Sequence, residues 1–308
     1  MQQAFERAAQ LTRLHALIVA RDGDIQAERR FSGPPLDVPV NVKSVSKSIV
    51  SALVGIAIGE GKLHGVEQAI APFFPELRRR TADPRLARVS IGDLLTMRSG
   101  LVRTSGEGYG PWVRSRSWIG HILLSPMIAE TGELMIYSTG NSHLLSAILT
   151  RATRSDTHRF AKEKLARPLG IELPRWERDP EGIYLGGNQM RLSPRALVRF
   201  GELYRNEGRH GARQVVPAWW VRESLVPRTR SVFSGQLYGY GWFLAELASR
   251  PLFYAWGYGG QFIFVVPSLA LTVVTTSETS GPRDMEHLLA VQALLRDYVI
   301  PAAVAADG

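Results

Sequence analysis

A serine and a lysine three residues apart, Ser44 and Lys47, are the side chains in this sequence best placed for covalent chemistry. They begin a long apolar run, which predicts a buried helix that ends near Gly59 and Gly61. At a spacing of i, i+3 both side chains lie on one face of its first turn. Burial lowers the pKa of a lysine, so a partly neutral Lys47 can take the proton of the Ser44 hydroxyl and make it a nucleophile.

The same residues also have an ordinary structural explanation. Ser44 would then cap the helix, and the Lys47 ammonium would extend along the surface to water. Ser-x-x-Lys is a short pattern, although it occurs only once in a chain with five lysines. Other stretches of the sequence must therefore decide between the two explanations.

The composition is that of an ordinary globular protein: of the 308 residues, 45% are hydrophobic and 21% are charged. The formal charge of +9 comes mainly from arginines scattered along the chain, and the densest cluster, residues 78–80, has no interleaved aromatic residues. We expect a solvated face there and no nucleic-acid partner. The chain has no cysteine, and its histidines lack metal-ligand spacing, so we expect no metal site.

The sequence contains no apolar run of 18 or more residues, so we expect no membrane span. Residues 1–14 carry charges and lack the apolar core of a signal peptide. The compartment stays open: cytoplasmic for the sequence as it stands, periplasmic or secreted if a signal peptide has been removed. Nothing in the sequence indicates the oligomeric state.

Strand patterns lie at both ends of the sequence. Asp22-Gly23 predicts a type I′ hairpin between residues 15–21 and 24–31. Towards the other end four further runs favour strands, and a final amphipathic helix follows at residues 285–298. The four runs are residues 238–244, 253–256, 261–266 and 271–276.

Residues 63–185 favour helices and loops instead. We therefore expect an α/β fold of the α+β type, in which residues 1–62 and 186–308 form a largely antiparallel sheet flanked by helices. Residues 63–185 would be an inserted, mainly helical lobe, with the active site in the cleft between the lobes.

Three further stretches could contribute to a site. Residues 137–141 form a polar turn in which the phenol of Tyr137, beside Lys47, would have a depressed pKa and relay protons, although a lone tyrosine is more often packed. In residues 257–261 glycines lead into a strand, whose edge offers N–H groups to an oxyanion; a simple bend is the alternative. Residues 106–112 are either a lid or an ordinary surface loop.

Together these stretches resemble the serine β-lactamase and penicillin-binding protein superfamily, in particular its class C β-lactamase-like branch with related carboxylesterases and D-amino-acid peptidases. The resemblance covers nearly the whole chain and is carried by residues 41–47, 91–101 and 257–267. It implies a β-lactamase-like fold and favours the catalytic explanation of Ser44 and Lys47 over the structural one.

The resemblance also implies roles for individual residues. Ser44 would be the acylated nucleophile, and Lys47 and Tyr137 would share the general acid and base work. The backbone N–H groups of Ser44 and Gln261 would form the oxyanion hole, and water activated by Tyr137 would hydrolyse the acyl-enzyme without a metal or organic cofactor. The positions implied for substrate binding are Thr139, Asn141, Tyr258, Gly259 and Gly260.

Two positions depart from that branch. Thr139 stands where the branch usually has an asparagine that binds a substrate amide, and we expect Asn141, two residues later, to cap a helix. Tyr258 stands where the lactamases and peptidases have a lysine or histidine that attracts a substrate carboxylate, whereas related esterases have an aromatic residue before Gly-Gly. Both departures weaken β-lactam recognition and leave the acylation machinery complete.

We therefore expect a serine hydrolase that acts on small-molecule carboxylic esters or amides through a Ser44 acyl-enzyme. A β-lactamase or D-alanyl-type peptidase, a penicillin-binding enzyme with a β-lactam as ligand, is the alternative; it requires an arginine from elsewhere to replace the missing cation. A non-catalytic binding protein of the same fold is the third possibility, and the intact Ser44, Lys47 and Tyr137 argue against it.

Overall fold

The computed structural model describes residues 1–78, 82–232 and 234–306. Within these ranges, eight strands form one large sheet and four short strands form two small ones. The strands are β1 (Leu14–Arg21), β2 (Asp24–Arg30), β3 (Val40–Asn41), β4 (Arg191–Leu192), β5 (Arg209–His210), β6 (Arg213–Gln214), β7 (Thr229–Arg230), β8 (Leu237–Tyr238), β9 (Phe243–Leu247), β10 (Arg250–Gly257), β11 (Gln261–Val266) and β12 (Leu271–Ser277). The side chains of the arginine cluster at 78–80 lie outside the described residues.

The large sheet joins the two ends of the chain, as the sequence predicts. Its strand order is β2-β1-β12-β11-β10-β9-β8-β7, and every neighbouring pair is antiparallel. In the β1–β2 turn Asp22 and Gly23 both have positive φ, 52° and 90°, as a type I′ hairpin requires. The predicted antiparallel sheet with flanking helices is therefore confirmed.

Helices fill the middle of the chain and cover the sheet. They are α1 (Gln2–Ala8), α2 (Ser46–Gly59), α3 (Ile91–Leu95), α4 (Tyr109–Val113), α5 (Trp118–Leu123), α6 (Thr139–Thr153), α7 (Thr157–Ala161), α8 (Arg167–Leu169), α9 (Pro194–Arg205), α10 (Ala218–Ser224), α11 (Met285–Leu294) and α12 (Ile300–Ala305). Wider helical turns, Lys162–Ala166 and Leu295–Val299, join α7 to α8 and α11 to α12. The division into two lobes at residues 62/63 and 185/186 stays a prediction.

Alternating side chains of the sheet pack into two hydrophobic layers. On β11, Ile263 and Val265 belong to the layer that contains α2, whereas Phe262 and Phe264 belong to the layer under α11. The first layer continues into the helices of residues 63–185, so α2 is enclosed on all sides and its residues 46–57 are all buried. This enclosure accounts for an apolar pattern that runs almost all the way round the helix.

One helical stretch, Met285–Ala305, is long and apolar enough to cross a membrane by length and composition alone. Its Leu288, Val291 and Leu294 are buried in the layer between this stretch and the sheet. These side chains pack against the sheet, whereas Met285 and Leu289 of the same stretch are exposed.

The structure corrects two local predictions. The run predicted as one strand, residues 238–244, turns at residues 239–242, so that β8 and β9 pair with each other. Residues 106–112 are not an ordinary surface loop but a 3₁₀ turn, Gly106–Gly108, followed by α4, and the alternative of a lid stays a prediction. Trp112 accounts for the difference at residues 106–112, because its buried ring packs against Trp118 and this segment therefore lies against the core.

The predicted helix cap at Asn141 is also wrong. The helix α6 begins at Thr139, with Ser138 in the N-cap position, so Asn141 lies inside its first turn. Asn141 is buried, and its Oδ1 accepts a hydrogen bond from the Ser99 hydroxyl at 3.0 Å. The side chain therefore joins α6 to the segment after α3 instead of capping a helix end.

Candidate active site

Ser44 lies in a 3₁₀ turn, Lys43–Val45, that runs directly into α2. Asn41 holds this turn: its Oδ1 accepts the Lys43 N–H at 2.9 Å, and its side-chain amide donates to Gln189. These bonds support a positive φ of 49° at Lys43, which is a strained conformation for a residue other than glycine and is typical of functional sites. Ser44 itself stays partly exposed, as a nucleophile must.

Lys47 is 3% exposed, so the alternative in which its ammonium reaches water is wrong. Its Nζ donates to Ser44 Oγ at 3.0 Å, to Thr139 Oγ1 at 3.2 Å and to the Gly187 carbonyl oxygen at 2.8 Å. All three partners are neutral, and Lys47 forms no ion pair with the described residues. Burial without a compensating carboxylate lowers the pKa of Lys47 to about 7.

Tyr137 also lies at Ser44 and Lys47. The Lys47 Nζ is 4.9 Å from the centre of the Tyr137 ring, and the ring stacks on Phe243. Burial raises the pKa of Tyr137 to about 12, against the weaker opposing effect of its hydrogen bond with Ser44. The predicted depression of this pKa is therefore wrong, because desolvation of the phenolate outweighs the stabilisation that its polar neighbours provide.

Thr139 touches Lys47 and is held from behind by Ser105. The Thr139 N–H donates to Ser105 Oγ at 2.8 Å, and the two hydroxyl oxygens are 2.9 Å apart. Thr139 is buried, and its observed partner is the Lys47 amine. Substrate contact by Thr139 or by Asn141 stays a prediction.

The β10–β11 hairpin approaches the Ser44 turn at Gly257. A Cβ atom on Gly257 would lie 2.3 Å from the Val42 carbonyl oxygen and 3.2 Å from Lys43 Cβ, so only glycine permits this contact. The close approach expected from the glycines of this stretch is thus present. Gln261 pairs with Gly257 across the hairpin, and its side-chain amide donates to the Ser277 carbonyl oxygen at 2.8 Å.

The other three residues of this stretch face away from the Ser44 turn. A Cβ on Gly259 would meet Glu278, and one on Gly260 would meet Ser277. Tyr258 is 37% exposed, and its hydroxyl donates to the Gly281 carbonyl oxygen at 2.8 Å. Substrate binding by Tyr258, Gly259 and Gly260, and the oxyanion role of Gln261, stay predictions.

Sequence reasoning missed the segment that faces Lys47 from the other side. Gly187 supplies the carbonyl oxygen, and a Cβ at this position would lie 2.8 Å from Lys47 Cγ. The doubled glycine at 186–187 was the available signal, since adjacent glycines mark close backbone approach. Among the described residues, no group of three or more His, Asp or Glu side chains is placed to hold a metal ion.

Solved structures of similar fold include a candidate 6-aminohexanoate-dimer hydrolase from Bacillus anthracis, with 18% identity, a TM-score of 0.81 and coverage of 96% of this chain and 80% of that one. EstCE1, a hydrolase with promiscuous acyltransferase activity, has 17% identity, a TM-score of 0.76 and coverage of 96% and 99%. A D-stereospecific amidohydrolase from Streptomyces sp. has 15% identity, a TM-score of 0.72 and coverage of 94% and 96%.

These identities are low, so the likeness to solved structures establishes the β-lactamase-like fold alone. No curated protein sequence matches the chain. The family model described as Beta-lactamase matches residues 12–297, which is most of the chain and includes Ser44, Lys47 and Tyr137. The chain therefore belongs to the Beta-lactamase family, whose members are hydrolases.

Proposed function

We propose that this protein is a serine hydrolase that forms an acyl-enzyme on Ser44. The observation that carries the proposal is the Lys47 amine, which is buried among neutral oxygen atoms 3.0 Å from Ser44 Oγ. With a pKa of about 7, about half of the Lys47 amines are neutral at neutral pH and able to accept the hydroxyl proton. A lysine with a purely structural role would instead have a carboxylate partner or reach water.

In the proposed reaction, Ser44 Oγ attacks the substrate carbonyl carbon while its proton passes to Lys47 Nζ. The N–H groups of Ser44 and Gln261 would bind the resulting oxyanion. When the bond to the leaving group breaks, Tyr137 donates its hydroxyl proton to the departing alcohol or amine and regains one from Lys47. With a pKa of about 12, Tyr137 stays protonated and suits the donor role better than the base role expected from the sequence.

Water then attacks the carbonyl carbon of the acyl-enzyme, with Lys47 again as the base. Lys47, neutral again, takes a proton from the water molecule, and Ser44 Oγ regains its proton as the carboxylic acid leaves. Each turnover therefore adds one water molecule across an ester or amide bond and leaves the enzyme unchanged. The uncharged Tyr258, which stands where the lactamases and peptidases have a lysine or histidine, supports an uncharged carboxylic ester or small amide as substrate.

Intact-protein mass spectrometry after brief mixing with p-nitrophenyl butyrate tests this proposal. We expect a transient adduct of one butyryl group on the wild type and none on Ser44→Ala. Full ester hydrolysis by Ser44→Ala would contradict the assignment of the nucleophile. A wild type that neither forms the adduct nor reacts with a fluorophosphonate probe would favour a non-catalytic binding protein of this fold.

One observation favours the penicillin-binding alternative. The Arg283 guanidinium lies 5.4 Å above the Trp256 ring, next to Gly257, and Arg283 forms no ion pair with the described residues. Arg283 is thus available to attract the carboxylate that a lysine or histidine attracts elsewhere in the superfamily. A long-lived adduct of benzylpenicillin on Ser44 that is lost in Arg283→Ala would favour this function over ester hydrolysis.

A further inference from the structure

A buried histidine and aspartate, absent from the reaction described above, lie behind the Gly187 carbonyl. His143 Nε2 and Asp179 Oδ2 are 3.0 Å apart, and both side chains are completely buried. The edges of Trp112 and Trp118 meet the imidazole, with ring centres 5.6 Å and 5.4 Å away. The imidazole packs against two aromatic rings, and neither side chain of the pair is accessible to solvent.

The imidazole reaches the backbone that binds Lys47. The Gly186 N–H donates to His143 Nδ1 at 3.4 Å, and the carbonyl oxygen of the next residue, Gly187, accepts from Lys47 Nζ at 2.8 Å. This stretch fits closely against α6, since a Cβ on Gly186 would lie 2.0 Å from the Ser142 carbonyl oxygen. A small displacement of the stretch would therefore remove the carbonyl from Lys47.

The hydrogen bonds define one arrangement of protons on the pair. An N–H group only donates, so Nδ1 of His143 must be unprotonated where it accepts from Gly186, and the ring proton lies on Nε2 and is donated to Asp179. The other carboxylate oxygen, Oδ1 of Asp179, accepts the N–H groups of Glu181 at 2.9 Å and Ile183 at 2.7 Å. The aspartate thus fixes both the imidazole tautomer and the turn that leads to Gly186.

We infer that His143 and Asp179 are positioning residues that hold the Gly187 carbonyl against the Lys47 amine. The inference rests on the proposed function, because it matters to catalysis only if Lys47 is the base. Ser44, Thr139, Tyr137 and Gly187 surround Lys47, and none of them is a carboxylate. The Gly187 carbonyl is therefore the strongest dipole available to stabilise the ammonium, and its position tunes the base.

Asp179→Asn is the sharpest test because it keeps the size of the side chain. Asn Oδ1 would still accept from Glu181 and Ile183, which turns its amide nitrogen towards His143. That amide donates to Nε2, so the imidazole proton moves to Nδ1, where it faces the Gly186 N–H. Two donors then oppose each other, and we expect the 186–187 backbone to move away. His143→Phe removes the acceptor while it keeps an aromatic ring between the two tryptophans.

The measurement is the pKa of Lys47 itself, from the ¹³Cε shift of protein labelled with ¹³C-lysine. Only five lysines are present, and Lys47→Arg identifies the signal. We expect the pKa to fall by at least about half a unit in both variants, because an ammonium that loses a carbonyl partner is less stable. His158→Phe is the control: His158 packs on Trp176 in the same helical region, and its ring nitrogen bonds the Leu173 carbonyl, not Gly186.

An unchanged Lys47 pKa in both variants, or one raised towards 10.5 by entry of water, would overturn the inference. Because neutral Lys47 is the base, the pH below which fluorophosphonate labelling declines should move down by at least about half a unit in both variants and stay unchanged in His158→Phe. If His143→Phe does not fold, Asp179→Asn carries the test alone. A wild type that resists the probe while the Lys47 pKa still shifts would instead refute the proposed function and leave the positioning role intact.

Discussion

Two cations of this protein, Lys47 and Arg195, have opposite electrostatic surroundings. Arg195, at the start of α9, donates to Glu28 on β2 and to Asp37, and these carboxylates raise the pKa of its guanidinium. Within the part of the chain that the structure describes, the partners of Lys47 are neutral oxygen atoms, and burial lowers the pKa of its amine to about 7. A paired cation joins segments and stays charged, whereas a buried unpaired one is kept reactive at a cost to stability.

The largest expected effect is on the rate of Ser44 acylation, which should depend on Lys47 and not on Arg195. Lys47→Met should lower the rate of Ser44 acylation about 10³-fold, because among the described residues no other amine, imidazole or carboxylate bonds the hydroxyl. Arg195→Met should leave it unchanged, since Arg195 lies on α9 and bonds β2 and Asp37. Both rates are measured with p-nitrophenyl butyrate. A Lys47→Met variant within tenfold of the wild type would remove Lys47 from the base role.

The second effect concerns stability. A lysine whose pKa is about 7 when folded and 10.5 when unfolded binds fewer protons in the folded state between these values, so its contribution to the free energy of unfolding rises with pH in that window. The free energy of unfolding of the wild type relative to Lys47→Met should therefore rise by about 2 kcal/mol from pH 7 to 9, with a slope that approaches about 1.4 kcal/mol per pH unit once Lys47 is neutral in the folded protein. Below about pH 6, where Lys47 is protonated in both the folded and the unfolded state, this relative stability should be constant.

Urea unfolding of both proteins at pH 6, 7, 8 and 9 measures this difference. The other titratable groups are the same in both proteins, so their contributions to the pH dependence cancel. Arg195→Met is the matched control, because a guanidinium stays charged throughout the range and its removal leaves the slope unchanged. Parallel curves for wild type and Lys47→Met would show that Lys47 is not a depressed base in the folded protein.

The sequence predicts the parts of this site that depend on contacts between residues close together in the chain. Ser44 and Lys47 are three residues apart on one short stretch, so their contact follows from helix geometry. Tyr137 was placed at the site by family resemblance, and the structure brings it there. The pKa of Tyr137 is raised because distant segments bury the phenol completely. The local sequence does not indicate this burial, so the predicted depression of the pKa is wrong.

The sheet and the hairpins follow from period-two patterns and an Asp-Gly turn, and those predictions are confirmed. The Gly187 carbonyl and the His143–Asp179 pair are different, because each joins residues that are more than 35 positions apart. The doubled glycine at 186–187 indicates a close backbone approach without identifying the residue approached, and a buried histidine resembles any packed histidine until its partners are known. The missed features are therefore those that only the fold brings together.

The third effect concerns the pH dependence of acylation. The neutral form of Lys47 is the base, so the rate should fall tenfold for each pH unit below about 7 and level off above it. Tyr137, with a pKa of about 12, keeps its proton, so no decline is expected between pH 7 and 9. Arg195→Met should show the same profile. A rate that falls from pH 7 to 9 would indicate that a protonated group with a lower pKa is required.

The smallest effect is the stability cost of removing the paired cation. Arg195 is 39% exposed and Asp37 is 72% exposed, so water screens both ion pairs and Arg195→Met should destabilise the protein by about 1 kcal/mol or less. Urea unfolding at pH 7 measures it, with Arg195→Lys as the conservative variant that keeps the charge and loses the two-pronged geometry. A loss of several kcal/mol would mean that these bonds anchor α9 to β2 and the adjoining segment. The ion pairs of Arg195 would then affect the free energy of unfolding as much as the missing ion pair affects the pKa of Lys47.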